Sequence, residues 1–181
     1  MPVIDSHYRP PFLLANGYVQ SILPTLIRRI DTEHFQRERL VTDDGDFLDL
    51  DWSRASRSTN SKTLLILSHG LEGHSRRPYV AGVAREANVQ GWDALAWNFR
   101  SCSGEMNKTL RFYHSGATDD LKRVVEHAHS LGYQNVHLVG FSMGGNLSLL
   151  YAGRQGRGLP VYVKSVVAFS VPCDLAASSH R

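Results

Sequence analysis

The chain has 181 residues, enough for one domain with a sizeable core, and is 42% hydrophobic and 20% charged. Its 20 basic and 17 acidic residues leave a formal charge of +3, and Arg28, Arg29, Arg37, Arg39, Arg76 and Arg77 are too dispersed for a nucleic-acid patch, so they read as solvated faces. Cys102 and Cys173 make neither a disulfide framework nor a metal site, and no run reaches the roughly 18 apolar residues of a membrane span.

The first residues, "MPVIDSHYRPPFLLANG", lack a charged segment followed by a long apolar run. No secretory leader is expected, and a reducing, cytoplasmic location follows. Pro10, Pro11 and Pro24 punctuate residues 1–30, which read as an N-terminal arm packed on the core, with at most a short helical turn. Residues 31–181 read as the main domain. "HFQRERLVTDDGDFLDLDWS" predicts a β-hairpin about Asp44-Gly45, with Phe47, Leu48, Leu50 and Trp52 as its apolar positions.

"TLLILSHG" predicts a strand buried on both faces. "YVAGVAREANVQG" predicts a helix that starts near Pro78, ends near Gly91 and buries Val80, Val83, Ala84 and Ala87. "DALAWNF" is a second buried strand. "TDDLKRVVEHAHSLG" is an amphipathic helix capped by Thr118, with Leu121, Val124, Val125, Ala128 and Leu131 on one stripe. "VHLVGFS" is a third buried strand, "NLSLLYAG" continues a third helix, and "VKSVVAFSVP" is a fourth buried strand. "GRQGRG" follows a helix rather than a strand, so it reads as a loop and not a phosphate cradle. Strands and helices that alternate in this way predict an α/β fold: a mostly parallel sheet with helices on both faces, preceded by a hairpin.

Gly140-Phe141-Ser142-Met143-Gly144 fits the G-x-S-x-G pattern between a predicted strand and a predicted helix. A serine held there exposes its Oγ above the sheet edge. Side chains two residues before and two after would collide with neighbouring backbone, hence Gly140 and Gly144; Gly145 relieves further crowding. Acyl transfer develops negative charge on a carbonyl oxygen, and two backbone N–H groups should meet it. Met143, directly after Ser142, supplies one. The Gly-rich loop "SHGLEGHS" supplies the other, at Leu71 after His69 and Gly70.

These residues resemble the α/β-hydrolases, and more narrowly the YheT-like esterases. "FLLANGYVQSILPTLIRR", "LSHGLEGHSRRPYV", "NFRSCSGEMN", "YHSGATDDL", "GFSMGGNL" and "VPCDL" carry the similarity along nearly the whole chain. Ser101 stands where the pattern has Gly, and Tyr18 and Ser21 where it has His and Thr. The resemblance implies a serine carboxylic-ester hydrolase acting on small-molecule or lipid esters through an acyl-enzyme, without metal or organic cofactor. Oligomeric state is not legible.

The superfamily order is Ser, then Asp or Glu, then His. After Ser142 only Asp174 and His180 remain. His180 lies at the chain end, poorly placed to hold a firm bond to a serine, and Asp174 reads as a turn residue. His69 reads as a shaper of the oxyanion loop, His74 and His114 as nearby loop residues, and His127 and His129 as a poor metal pair on different sides of one helix. His7, His34 and His137 carry no signal. The expectation is therefore a domain truncated before the triad acid and base, lacking the last two strands and the cap. Its fourth strand would be an open apolar edge. The competing expectation is a catalytically dead fragment, or a binding protein on the same core.

Overall fold

The computed structural model describes residues 4–56 and 61–179, and the chain divides into two compact units, Met1–Ile30 and Asp31–Arg181. In the first unit the predicted short turn is a helix, α1 (Gly17–Ile27). Asn16 caps it by accepting the Tyr18 N–H at 2.8 Å. Pro24 does not break it because it sits in the last turn, where its carbonyl accepts the closing Arg28 N–H at 2.9 Å.

The second unit is built on six strands: β1 (Gln36–Val41), β2 (Phe47–Ser53), β3 (Thr63–Ser68), β4 (Asp93–Trp97), β5 (Asn135–Phe141) and β6 (Val163–Phe169). The sheet order is β1-β2-β4-β3-β5-β6. The hairpin β1–β2 is antiparallel and joins antiparallel to β4; β4, β3, β5 and β6 run parallel. Gly45, at φ +77°, makes the hairpin turn as expected.

Three helices link the parallel strands: α2 (Pro78–Val89), α3 (Thr118–Ser130) and α4 (Met143–Gln155). The path β3–α2–β4 moves one way along the sheet, whereas β4–α3–β5 and β5–α4–β6 move the other. Right-handed crossovers then put α2 on one face and α3 with α4 on the opposite face. The packing of α3 on α4 agrees. The loops after β3 and β5 leave toward opposite faces although these strands are neighbours. Such a divergence opens a crevice at the C-terminal ends of the strands, where open α/β sheets bind ligands.

The core lies between sheet and helices. Leu50, Leu64, Ile66, Leu95, Leu121, Val124, Val125, Val136 and Leu138 are fully buried. Several expectations need correction. Leu131 is half exposed, because it lies just past the last turn of α3. Thr118 is the first residue of α3 and not its cap; Ala117 occupies the cap position, and Thr118 Oγ1 accepts from Arg154 at 2.8 Å. Within "GRQGRG", α4 runs on through Gly153 to Gln155 and Gly156–Gly158 form a 3-10 turn. The fourth central strand is not buried: β6 pairs only with β5 among the described residues, and Val167 and Phe169 stay 44% and 47% exposed.

Buried ion pairs fix the loop after β4, a feature the sequence pattern did not reveal. Arg100 makes two 2.9 Å bonds to Asp120 and reaches Asp46 at 3.4 Å. Asp46 also accepts the N–H groups of Lys108 and Thr109 and the Thr109 hydroxyl. Burial works against its charge, yet these bonds hold its carboxyl well below the usual carboxylate range. Arg37 and Arg39 are not free solvated faces either: they bind Asp51 at 2.7 Å and Asp49 at 2.8 Å.

Candidate active site

Ser142 stands between the end of β5 and the start of α4, at φ +51° and ψ −118°. An L-residue adopts such backbone only when its surroundings enforce it. Here the Ser142 N–H donates to the Phe169 carbonyl at 2.9 Å, and its own carbonyl accepts the Asn146 N–H at 3.0 Å. The flanking glycines are steric requirements. A Cβ on Gly140 would lie 2.3 Å from the Gly144 carbonyl oxygen, and one on Gly144 would lie 2.3 Å from that of His69. A Cβ on Gly145 would meet Val171 at 2.5 Å. The turn exists because strand, helix and the neighbouring loop approach more closely than any side chain allows.

That neighbouring loop follows β3. A Cβ built on Gly70 lies 3.4 Å from Ser142 Cβ, so the loop runs directly past the serine. The Gly70 N–H donates to Tyr79 Oη at 3.1 Å, and the Glu72 N–H to Tyr113 Oη at 3.3 Å. Between them, the Leu71 N–H has no acceptor among the described residues. The Met143 N–H is likewise free, as the first amide of α4, a position with no intrahelical acceptor. It also sits at the positive end of the helix dipole.

His69 is fully buried and committed on both nitrogens. Phe99 N–H donates to Nε2 at 3.1 Å, so Nδ1 carries the proton and donates to the Gly70 carbonyl at 2.7 Å. Burial lowers its pKa to about 4. The ring is therefore a neutral brace for the loop, with no lone pair left for Ser142.

The other described histidines are engaged elsewhere. His34 bonds Ser53, His127 pairs with Glu38, His129 bonds the Tyr133 carbonyl and His137 bonds Ser165. His74 and His114 each accept a backbone N–H from two residues along, and His7 belongs to the N-terminal unit. Among the described residues no side chain is hydrogen-bonded to Ser142 Oγ, and no group of three or more His, Cys, Asp or Glu is placed to hold a metal ion. Asp174 caps the short helix α5 (Leu175–Ser179) by accepting the Ala177 N–H at 2.9 Å. His180 lies outside the described residues.

Tyr79 and Tyr113 were missed as loop supports. Tyr79 was legible only as the second residue of a helix, and Tyr113 lies 41 residues from its partner. Ser101 adopts φ +63°, the conformation that favours glycine. Reciprocal bonds with Asn107, at 2.5 and 3.1 Å, hold it there.

Comparison with known proteins places these features in context. The profile of the alpha/beta hydrolase fold matches residues 63–179. "Putative esterase YheT" of Escherichia coli (strain K12) is 36% identical over 92% of this chain and 49% of its own length. "Phospholipase ABHD3" of Homo sapiens is 30% identical over 98% of this chain and 44% of its own. The chain thus spans about half the length of these curated relatives. Among solved structures, the Pyrococcus furiosus esterase Pf2001 superposes with a TM-score of 0.67 at 21% identity, covering 83% of this chain and 54% of that one. The fold, the residues matched and the similarity to YheT agree: the chain belongs to the α/β-hydrolase family.

Proposed function

We propose that this chain carries the nucleophile and oxyanion half of a serine carboxylic-ester hydrolase. The observation that carries this is the backbone of Ser142, held at φ +51° between glycines that tolerate no Cβ, with the Gly70 loop beside it. Ser142 Oγ attacks the ester carbonyl carbon and passes its proton to a base. The Met143 and Leu71 N–H groups meet the resulting oxyanion. Collapse expels the alcohol and leaves an acyl-serine, which water then hydrolyses. No donor need be stripped of a protein partner first, since neither amide has one among the described residues. His69, Gly70, Gly140 and Gly144 serve this geometry by bracing and close approach.

Each described histidine of the second unit holds a partner other than Ser142, and none is hydrogen-bonded to its Oγ, so this reading places the base elsewhere. The 181-residue chain is therefore expected to hydrolyse small acyl esters weakly, at the residual rate that an oxyanion site alone can give. The substrate class, a small-molecule or lipid ester, is inferred from relatives named as esterase and phospholipase. A binding role on the same core is the second reading, favoured by the open edge of β6. Ester assays on the chain and on Ser142→Ala separate the two. Weak turnover lost in Ser142→Ala supports the hydrolase. Turnover unchanged by the substitution, or none under any condition, supports the binding role. Robust turnover lost in Ser142→Ala would overturn the placement of the base.

A further inference from the structure

A second feature lies at the C-terminal ends of β3 and β4, whose loops supply most of its lining. Beside the loop that passes Ser142 opens a cleft of 580 Å³, lined by Arg37, His74, Arg76, Cys102, Ser103 and Gly104. No carboxylate is among these residues. Asp51 lies beneath them, buried, and takes Arg37 at 3.0 and 2.7 Å, with Arg76 more distant at 3.5 Å. Two guanidinium groups share this one carboxylate, while the Asp49 and Glu105 carboxylates beside the cleft are both taken by Arg39.

Its walls are fixed. Arg37 also donates to the Ser103 carbonyl at 3.0 Å, and Arg39 binds Glu105 at 2.7 Å, which ties the loop after β4 to the hairpin. Ser75 and Asn98 complete the bonds to Asp51. Arg76, by contrast, makes only the 3.5 Å side-chain contact among the described residues and is 39% exposed. His74 accepts the Arg76 N–H at Nδ1, so its neutral ring carries the proton on Nε2 and can donate it. Burial, and then Arg77, lower its pKa, which favours that neutral donor form.

We propose that this cleft binds an anionic oxygen group, a carboxylate or a phosphate, carried by the ester substrate itself. Arg76 supplies the principal charge-assisted bonds, and His74 Nε2–H a neutral one. His74 follows Gly70 by four residues, a span of about 14 Å at most. One small molecule can therefore place its carbonyl at Ser142 and its anion in the cleft. The assignment as a substrate subsite rests on the proposed role of Ser142.

The test uses the whole chain. Inorganic phosphate and glutarate are titrated calorimetrically into the wild type, into Arg76→Gln, and into Arg85→Gln as an exposed control on α2. Saturable binding should weaken about tenfold or more in Arg76→Gln, remain in Arg85→Gln, and fall with added salt. Tighter phosphate or tighter glutarate identifies the anion. Absent binding, or equal binding by Arg76→Gln, overturns the proposal. Acylation of Ser142 by p-nitrophenyl butyrate and by the mono-p-nitrophenyl ester of glutaric acid is then compared by mass spectrometry. A preference for the anionic ester that Arg76→Gln abolishes supports the subsite. Phosphate binding with no such preference overturns the link to substrate. If neither ester acylates Ser142, the nucleophile role fails, while the titration still decides the cleft.

Discussion

Two neighbouring parallel strands of this sheet end alike. β5 closes in Phe141-Ser142 and β6 in Phe169-Ser170, with the two phenylalanines in register and their rings stacked at 5.2 Å. Both serines are exposed and both hold positive φ, +51° and +50°. Only the first leads at once into a long helix, and only the first is flanked by glycines in backbone contact with a second loop. The position paired with Gly140 on β6 is Ala168. On the proposed reading, a strained serine at a strand end is therefore not sufficient for a nucleophile. The close approach of three backbone segments, together with two unpartnered amides, distinguishes Ser142.

That contrast can be broken most forcefully at its glycines. Gly140→Ala puts a Cβ into the Gly144 carbonyl and should cost about 3 kcal/mol or more, whereas Ala168→Gly on β6 should cost about 1 kcal/mol or less. Urea unfolding of the two variants measures both.

The brace beneath the loop should show itself through pH. His69 has a pKa lowered to about 4 from an ordinary 6.5, so the unfolded chain takes up its proton first as pH falls. Its contribution is complete above pH 6.5 and is lost as pH drops toward 4, amounting to about 3 kcal/mol. His69→Gln should flatten that limb of the stability profile. The buried carboxylates Asp46, Asp49 and Asp51 are also lowered and act below it, through the acid range under their unfolded values.

Relief of strain should be alike in the two strands although the chemistry is not. Ser142→Gly and Ser170→Gly should each gain about 1 kcal/mol over the corresponding alanine variants, but only the first should abolish serine labelling. The smallest effect belongs to the strand faces. Val167→Thr should change stability by about 0.5 kcal/mol or less, and Val139→Thr, its buried register partner, by about 1–2 kcal/mol.

The same pair of strands explains what the sequence could reveal. "VHLVGF" and "VKSVVAF" are both apolar-rich runs, and each was rightly read as a strand. Burial of a strand depends on its neighbours, and a neighbour is not written in the strand's own residues: the run "VKSVVAF" alone suggests burial, whereas the expectation of an open apolar edge agrees with the place of β6 in the sheet. The tight turn at Ser142 was legible because its glycines encode a steric demand within five residues. The braces were not, since His69 meets Phe99 and Glu72 meets Tyr113 across 30 and 41 positions. The cleft likewise gathers Arg37 from β1 and Arg76 and Ser103 from two separate loops, which only the folded sheet brings together. Thr118 and Pro24 were local misreadings, in which a familiar capping or breaking residue sits one position or one turn from where its rule applies.

The most direct measurement is to treat the 181-residue chain with a fluorophosphonate and map the adduct by peptide mass spectrometry. The account predicts slow modification at Ser142, none at Ser170, and loss of the adduct in Ser142→Ala. Equal modification of both serines, or an adduct elsewhere that survives in Ser142→Ala, would contradict it.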